Sequence, residues 1–169
     1  MSSKSTLMVP ILKEILMKEI GEANLPPLDW KQVSSGQYKF LVDVNDFTEV
    51  VNVDFEEISD EPSIEYYLPP LHRNVPYFYN IAYEVSGSEV QFAESDMKTL
   101  LKILSTIVDI IKDFINKNQP EVMFLQATEK NNTSKQKANL YQAFLKQGIK
   151  QISGYQTDTY RDGNVIVKI

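Results

Sequence analysis

The side chains of this chain that could do chemistry are few, and most of them lie between Asp54 and Arg73. His72 is the single histidine and stands in Pro69-Pro70-Leu71-His72-Arg73, where an imidazole titrating near neutral pH could serve as a base. No serine or cysteine nucleophile context surrounds it, so it reads first as part of a proline-rich connection. Asp54, Glu56, Glu57, Asp60 and Glu61 offer oxygen ligands suited to calcium or magnesium. They lack the glycine and the ligand spacing of a calcium loop, and a charge run in a connection is ordinarily solvated. Ser3-Lys4 and Ser134-Lys135 have no setting that would make either a catalytic pair. Tyr66, Tyr67, His72 and Arg73 are of types that suit protein interfaces, where a ring or guanidinium combines contact area with a polar tip. These four are the expected partner-binding residues, with Tyr77 and Tyr79 as further aromatic candidates.

Several function classes drop out on composition. Without a cysteine the chain has no disulfide, thiol nucleophile, iron–sulfur cluster or cysteine zinc site, and one histidine cannot form a histidine-cluster metal site. No metal is expected. A formal charge of −6 and the lack of a basic stripe argue against nucleic acid, whose phosphates demand clustered Lys and Arg. Met1 to Thr6 is polar and leads into an amphipathic segment carrying Lys13, Glu14, Lys18 and Glu19, unlike the apolar stretch of a signal peptide. The most apolar run, Met97 to Ile115, is interrupted by Lys98, Lys102, Asp109, Lys112 and Asp113, charges too costly for a membrane span. The cytoplasm is the expected location.

The elements that must position these residues follow from periodicity. With 169 residues, 43% hydrophobic and 11% aromatic, the chain fits one domain over residues 1–169. Met8, Ile11, Leu12, Ile15 and Leu16 form a helical stripe, Gly21 ends it, and Leu25 to Leu28 is extended, with Trp30 packing in the core. Over 37–92 the period is two: Tyr38, Phe40, Val42 and Val44, a turn at Asn45-Asp46, and the return strand Val51, Val53, Phe55. Glu56 to Pro76 carries four prolines and reads as a surface connection with room for a short strand at Tyr66-Tyr67. Tyr77, Tyr79, Ile81, Tyr83 and Val85 alternate, and Val90 and Phe92 begin the fourth strand of a meander.

From Ser95 the pattern turns helical. Ser95 or Asp96 can cap a helix whose stripe runs from Met97 through Leu100, Leu104, Ile107, Ile111 and Phe114 to Ile115. Pro120 stops it, and Val122 to Leu125 is a continuous apolar run that suits an interior strand. Thr133 or Ser134 can cap the next helix, with Ala138, Tyr141, Phe144 and Leu145 inward and Gly148 closing it. A hairpin ends the pattern: Tyr155 to Tyr160, a turn at Arg161 to Asn164, and Val165 to Ile169. The fold class is therefore α+β, a mixed, mainly antiparallel central sheet flanked by helices, in the order α-β-β-β-β-α-β-α-β-β.

That order resembles the GNAT superfamily of N-acyltransferases, and Ala127, Asn131-Asn132, Ala138, Leu140-Tyr141 and Gly148-Ile149 stand as in its C-terminal half. The resemblance implies acetyl coenzyme A as cofactor, entering between the strand before the long helix and the strand at Val122, with Tyr141 as the acid that reprotonates the departing thiolate. It also places the coenzyme's pyrophosphate on backbone N–H groups of the turn before the long helix, here at Ser95 and Asp96. That turn reads Phe92-Ala93-Glu94-Ser95-Asp96-Met97, with no glycine and with two carboxylates facing an anion.

Over most of its length the chain looks similar to small uncharacterised proteins of tailed bacteriophages. The features carrying this are Trp30-Lys31-Gln32-Val33, Tyr79 to Val85, Leu104 to Ile115 and Leu140-Tyr141. The resemblance implies a phage origin, and the missing glycine turn, the tyrosines Tyr66, Tyr67, Tyr77 and Tyr79 and the proline-rich connection point to a non-catalytic binding or assembly protein without a cofactor, located in the virion or the host cytoplasm. Its partner would be a viral or bacterial protein or a second copy of itself, and neither nucleic acid nor a membrane. The acetyl-coenzyme-A-dependent N-acyltransferase is the alternative, and an acidic inhibitor of a bacterial defence system is a third reading.

Overall fold

The computed structural model describes residues 26–44, 46–85, 97–126, 135–161 and 163–169, and their side chains except those of 44, 85, 97, 126 and 135–142. The expected N-terminal helix, the strand at Val90 and Phe92, and the cap residues Ser95, Asp96, Thr133 and Ser134 lie outside these residues. Within them the fold is α+β, with one mixed, mostly antiparallel open sheet of seven strands.

The strands are β1 (Trp30–Ser34), β2 (Gln37–Val44), β3 (Phe47–Ile58), β4 (Phe78–Val85), β5 (Val122–Gln126), β6 (Tyr155–Tyr160) and β7 (Gly163–Lys168). The helices are α1 (Glu61–Tyr67), α2 (Met97–Asn118) and α3 (Lys135–Lys150). The sheet order is β1-β2-β3-β4-β5-β7-β6. Every neighbouring pair is antiparallel except β4 and β5, which run parallel with Tyr79, Asn80 and Ile81 opposite Met123, Phe124 and Leu125. On its β3 side β4 stays paired as far as Val85, beyond its last partner among the described residues of β5. A parallel neighbour requires a long crossover, and α2 lies within it.

The alternation read from β2 and β3 sets the register. Tyr38, Phe40 and Val42, with Val51, Val53 and Phe55, all turn to the face that α2 covers and are buried there. The apolar stripe of α2 from Leu100 to Ile115 lies on this face. Its polar side supplies two aspartates one turn apart. Asp109 accepts the Trp30 indole N–H at 2.8 Å, and Asp113 accepts the Tyr38 hydroxyl at 2.9 Å and Lys117 at 2.8 Å. Burial, then the hydrogen bond to Asp113 and its negative charge, hold the Tyr38 phenol far above the ordinary tyrosine range. Trp30 is partly buried against the core, as expected, but from a strand instead of an extended connection.

Three sequence expectations are corrected. The stretch from Glu56 to Pro76 is not a bare connection, since β3 continues to Ile58 and α1 follows, and Tyr66-Tyr67 end that helix and form no strand. Asp60 caps α1 by accepting the Ser63 N–H at 3.0 Å, Pro62 occupies the first turn, where its missing donor costs nothing, and Ile64 and Leu68 bury one turn apart. Gly148 does not close α3, which runs on to Lys150. A Cβ at Gly148 would lie 2.9 Å from Cγ2 of Val108, so the glycine lets α3 approach α2. The final hairpin turns tighter than expected, with Tyr160 already opposite Gly163. Arg161 takes a left-handed φ of 53° there.

Candidate functional site

The second face of the sheet carries the candidate site. Over β4, β5 and β7 it is covered by α1 through Ile64 and Leu68, which pack with Phe78, Val122, Phe124 and Val165. The adjacent Tyr67 is half-buried, its ring 5.8 Å from Phe78 and 5.3 Å from Phe124. Tyr66 points outward, 57% exposed and edge-on to Tyr67 at 4.9 Å. The helical spacing that buries Ile64 and Leu68 thus leaves the two tyrosines at the rim of the helix.

Arg73 fastens the end of α1. It donates from Nε to the Leu68 carbonyl at 2.7 Å and from a terminal nitrogen to the Glu65 carbonyl at 2.9 Å, satisfying acceptors the helix end leaves open. The same nitrogen reaches the Tyr160 hydroxyl at 3.5 Å. From the opposite side Arg161 lies 4.8 Å over the Tyr66 ring and 5.4 Å over the Tyr160 ring. Arg73 and Arg161 are the only arginines in the chain. Both meet the side chain of Tyr160, so three tyrosines and two guanidiniums form one surface patch.

The two guanidiniums differ chemically. Arg73 is spent on backbone carbonyls, whereas Arg161 makes no ion pair among the described residues and stacks on two rings. A guanidinium held flat on aromatic faces keeps its edge donors free for a carboxylate. Its position follows from the left-handed residue at the hairpin turn, which carries the side chain back over α1.

Of the expected partner-binding residues, Tyr66, Tyr67 and Arg73 are brought together, and His72 is set apart. His72 is half-buried at the Pro70–His72 turn and lines a separate groove of about 290 Å³ with Val75, Glu121 and Lys168. Leu71 at its lip is 84% exposed. Tyr77 and Tyr79 pack on each other at 5.7 Å, and Tyr79 also meets Phe114 at 4.9 Å on the helix-covered face. Tyr160 and Arg161 were not among the expected site residues, although an arginine count of two was already a signal.

The other candidates fall as follows. Tyr141 lies on α3, but its side chain is outside the described residues, as are Ser95 and Asp96 altogether. The acidic run does not gather at one point: Asp60 caps α1, while Asp54 sits on β3 across from Ala82, near Glu56 and Glu84. Among the described residues no three acidic or histidine side chains gather as a metal site. No helix among them is long and apolar enough to cross a membrane. Comparison with protein-family models, with curated proteins and with solved structures returned no match to this chain.

Proposed function

We propose that this chain is a non-catalytic binding or assembly protein, encoded by a phage, that docks a viral or bacterial protein on the patch of Tyr66, Tyr67, Tyr160, Arg73 and Arg161. One observation carries the reading: the only two arginines of an acidic chain converge on one tyrosine, and one of them, Arg161, makes no ion pair among the described residues. Tyrosine and arginine dominate the energetics of protein interfaces, because each brings a large flat contact with polar edges. The partner surface that fits presents a carboxylate to Arg161 and apolar area to Tyr66.

The test is a comparative pull-down from infected cells with wild type, Tyr66→Ala, Arg161→Ala and a distant control, Lys168→Ala. A partner retained by wild type and control should be lost from the two patch variants, with affinity reduced by about 30-fold or more. An identical set of retained proteins for all four removes the reading.

A second reading, an acetyl-coenzyme-A-dependent N-acyltransferase on a GNAT-like scaffold, is favoured by one specific observation. The sole parallel neighbours in the sheet among the described residues, β4 and β5, are joined through α2. Tyr141 would be its acid. Calorimetric titration with acetyl coenzyme A separates the readings: absence of heat at millimolar ligand eliminates the enzyme.

A further inference from the structure

The sheet has two edges, and they are guarded unequally. At β1 the pairing with β2 slips between Gln32 and Ser34, Lys31 stands on the strand, and Lys117 reaches across to Gln32 at 2.8 Å. A bulge and lysines are the ordinary means of keeping an edge from accepting another strand. At the other end β6 runs in unbroken register with β7 over all six residues, Tyr-Gln-Thr-Asp-Thr-Tyr, with no proline or bulge, and the one lysine that reaches it among the described residues, Lys146, meets only the Thr159 hydroxyl, at 3.3 Å.

Three hydrogen bonds tell which backbone groups of β6 are free. Ile169 donates to the Gly154 carbonyl at 2.8 Å, whereas Lys168 donates the other way, to Glu121 at 2.9 Å. The Thr159 N–H takes the carboxylate of its own neighbour Asp158 at 2.8 Å instead of a carbonyl of β7. Antiparallel bonding alternates, so Tyr155, Thr157 and Thr159 direct their N–H and C=O groups away from β7. No strand among the described residues pairs there.

We infer that this edge pairs with the same edge of a second copy, β6 against β6, about a two-fold axis at Thr157. In that register the outward-facing residues meet one another, Thr157 opposite Thr157 and Tyr155 opposite Thr159. Every outward backbone group then finds a partner. Gln156 comes opposite Asp158 of the other copy, where an amide donor meets a carboxylate, and no like charges stand directly opposite. The Asp158 carboxylate exchanges the Thr159 N–H for the facing Gln156. A second copy is the occupant because the strand is complementary to itself. The inference stands whether or not the tyrosine and arginine patch binds a partner.

The experiment is sedimentation of the full chain from micromolar to millimolar concentration, with three variants. Thr157→Pro removes an outward N–H that the β6–β7 ladder does not use, and should abolish the dimer. Gln156→Lys sets a cation opposite Asp158 and should tighten the dimer about three- to tenfold, whereas Gln156→Glu sets like charges opposite and should weaken it by a similar factor. Position 156 is exposed, so opposite shifts from these two variants report the seam and not the fold. Hydrogen exchange over 155–160 should slow as concentration rises. A chain that stays monomeric at millimolar concentration overturns the inference, as does a dimer indifferent to all three variants.

Discussion

Two aspartates a few residues apart answer to pH in opposite directions. Asp54 is held above the ordinary carboxylate range, first by burial and then by the charges of Glu84 and Glu56. Its folded form therefore binds a proton more readily than the unfolded chain does, and stability falls as pH rises from the usual carboxylate range through the raised value. Asp54→Asn should stabilise at neutral pH by about 0.5 kcal/mol, since the group is only partly buried and its charges are screened, and should make no difference near about pH 3. Thermal melts at the two pH values check this. Asp60 is held below its usual range by the Ser63 hydroxyl and N–H. Its contribution is present above the usual range and is lost as pH falls through the depressed value. For Asp60→Ala the drop in melting temperature should be full at neutral pH and vanish in acid.

At the scale of elements, contacts rest on absent atoms as much as on present ones. Gly148→Ala places a methyl against the β-branched Val108, which is stiff in a helix. The overlap should outweigh the gain in helix propensity and cost about 1–2 kcal/mol. Denaturant titration of Gly148→Ala with and without Val108→Ala should reveal coupling, the second change relieving the first. Gly163→Ala is harsher, with the added Cβ 2.5 Å from Cζ of Phe124 and 2.6 Å from the Leu125 carbonyl, which is backbone and cannot turn aside. A loss of about 3 kcal/mol is expected in the same titration. These contacts mark the limit of what the residues disclosed. The period-two alternation in β2 and β3 and the stripe of α2 were legible because burial on one face imposes them. Helix α1 was hidden because seven residues with three prolines close by give no stripe, and its cap and two buried residues gain meaning only against Phe78 and Phe124. Tyr66, Tyr67 and Arg73 were legible by residue type, but their union with Tyr160 and Arg161 was hidden for the same reason, since tertiary packing joins them and no local pattern encodes it.

At the scale of the molecule, the lone tryptophan bridges the first strand and the long helix through Asp109. Fluorescence of Trp30 and far-ultraviolet circular dichroism should therefore report one coincident unfolding transition in urea. Two separated transitions would show that β1 and β2 melt apart from α2. Asp109→Ala, which leaves the indole N–H without its charged acceptor, should move both curves together by about 1–2 kcal/mol. The order of strands in the sheet has one more consequence, for the path by which the chain folds. β7 lies between β5 and β6 although it follows both in sequence. β1 to β3 can zip as successive hairpins while the chain is still emerging, but β5 waits with one edge bare until Gly163 to Lys168 arrives. The interval from β5 to β7 is when this chain is most exposed to wrong pairing, and the local β6–β7 hairpin shortens it by delivering the missing strand already paired.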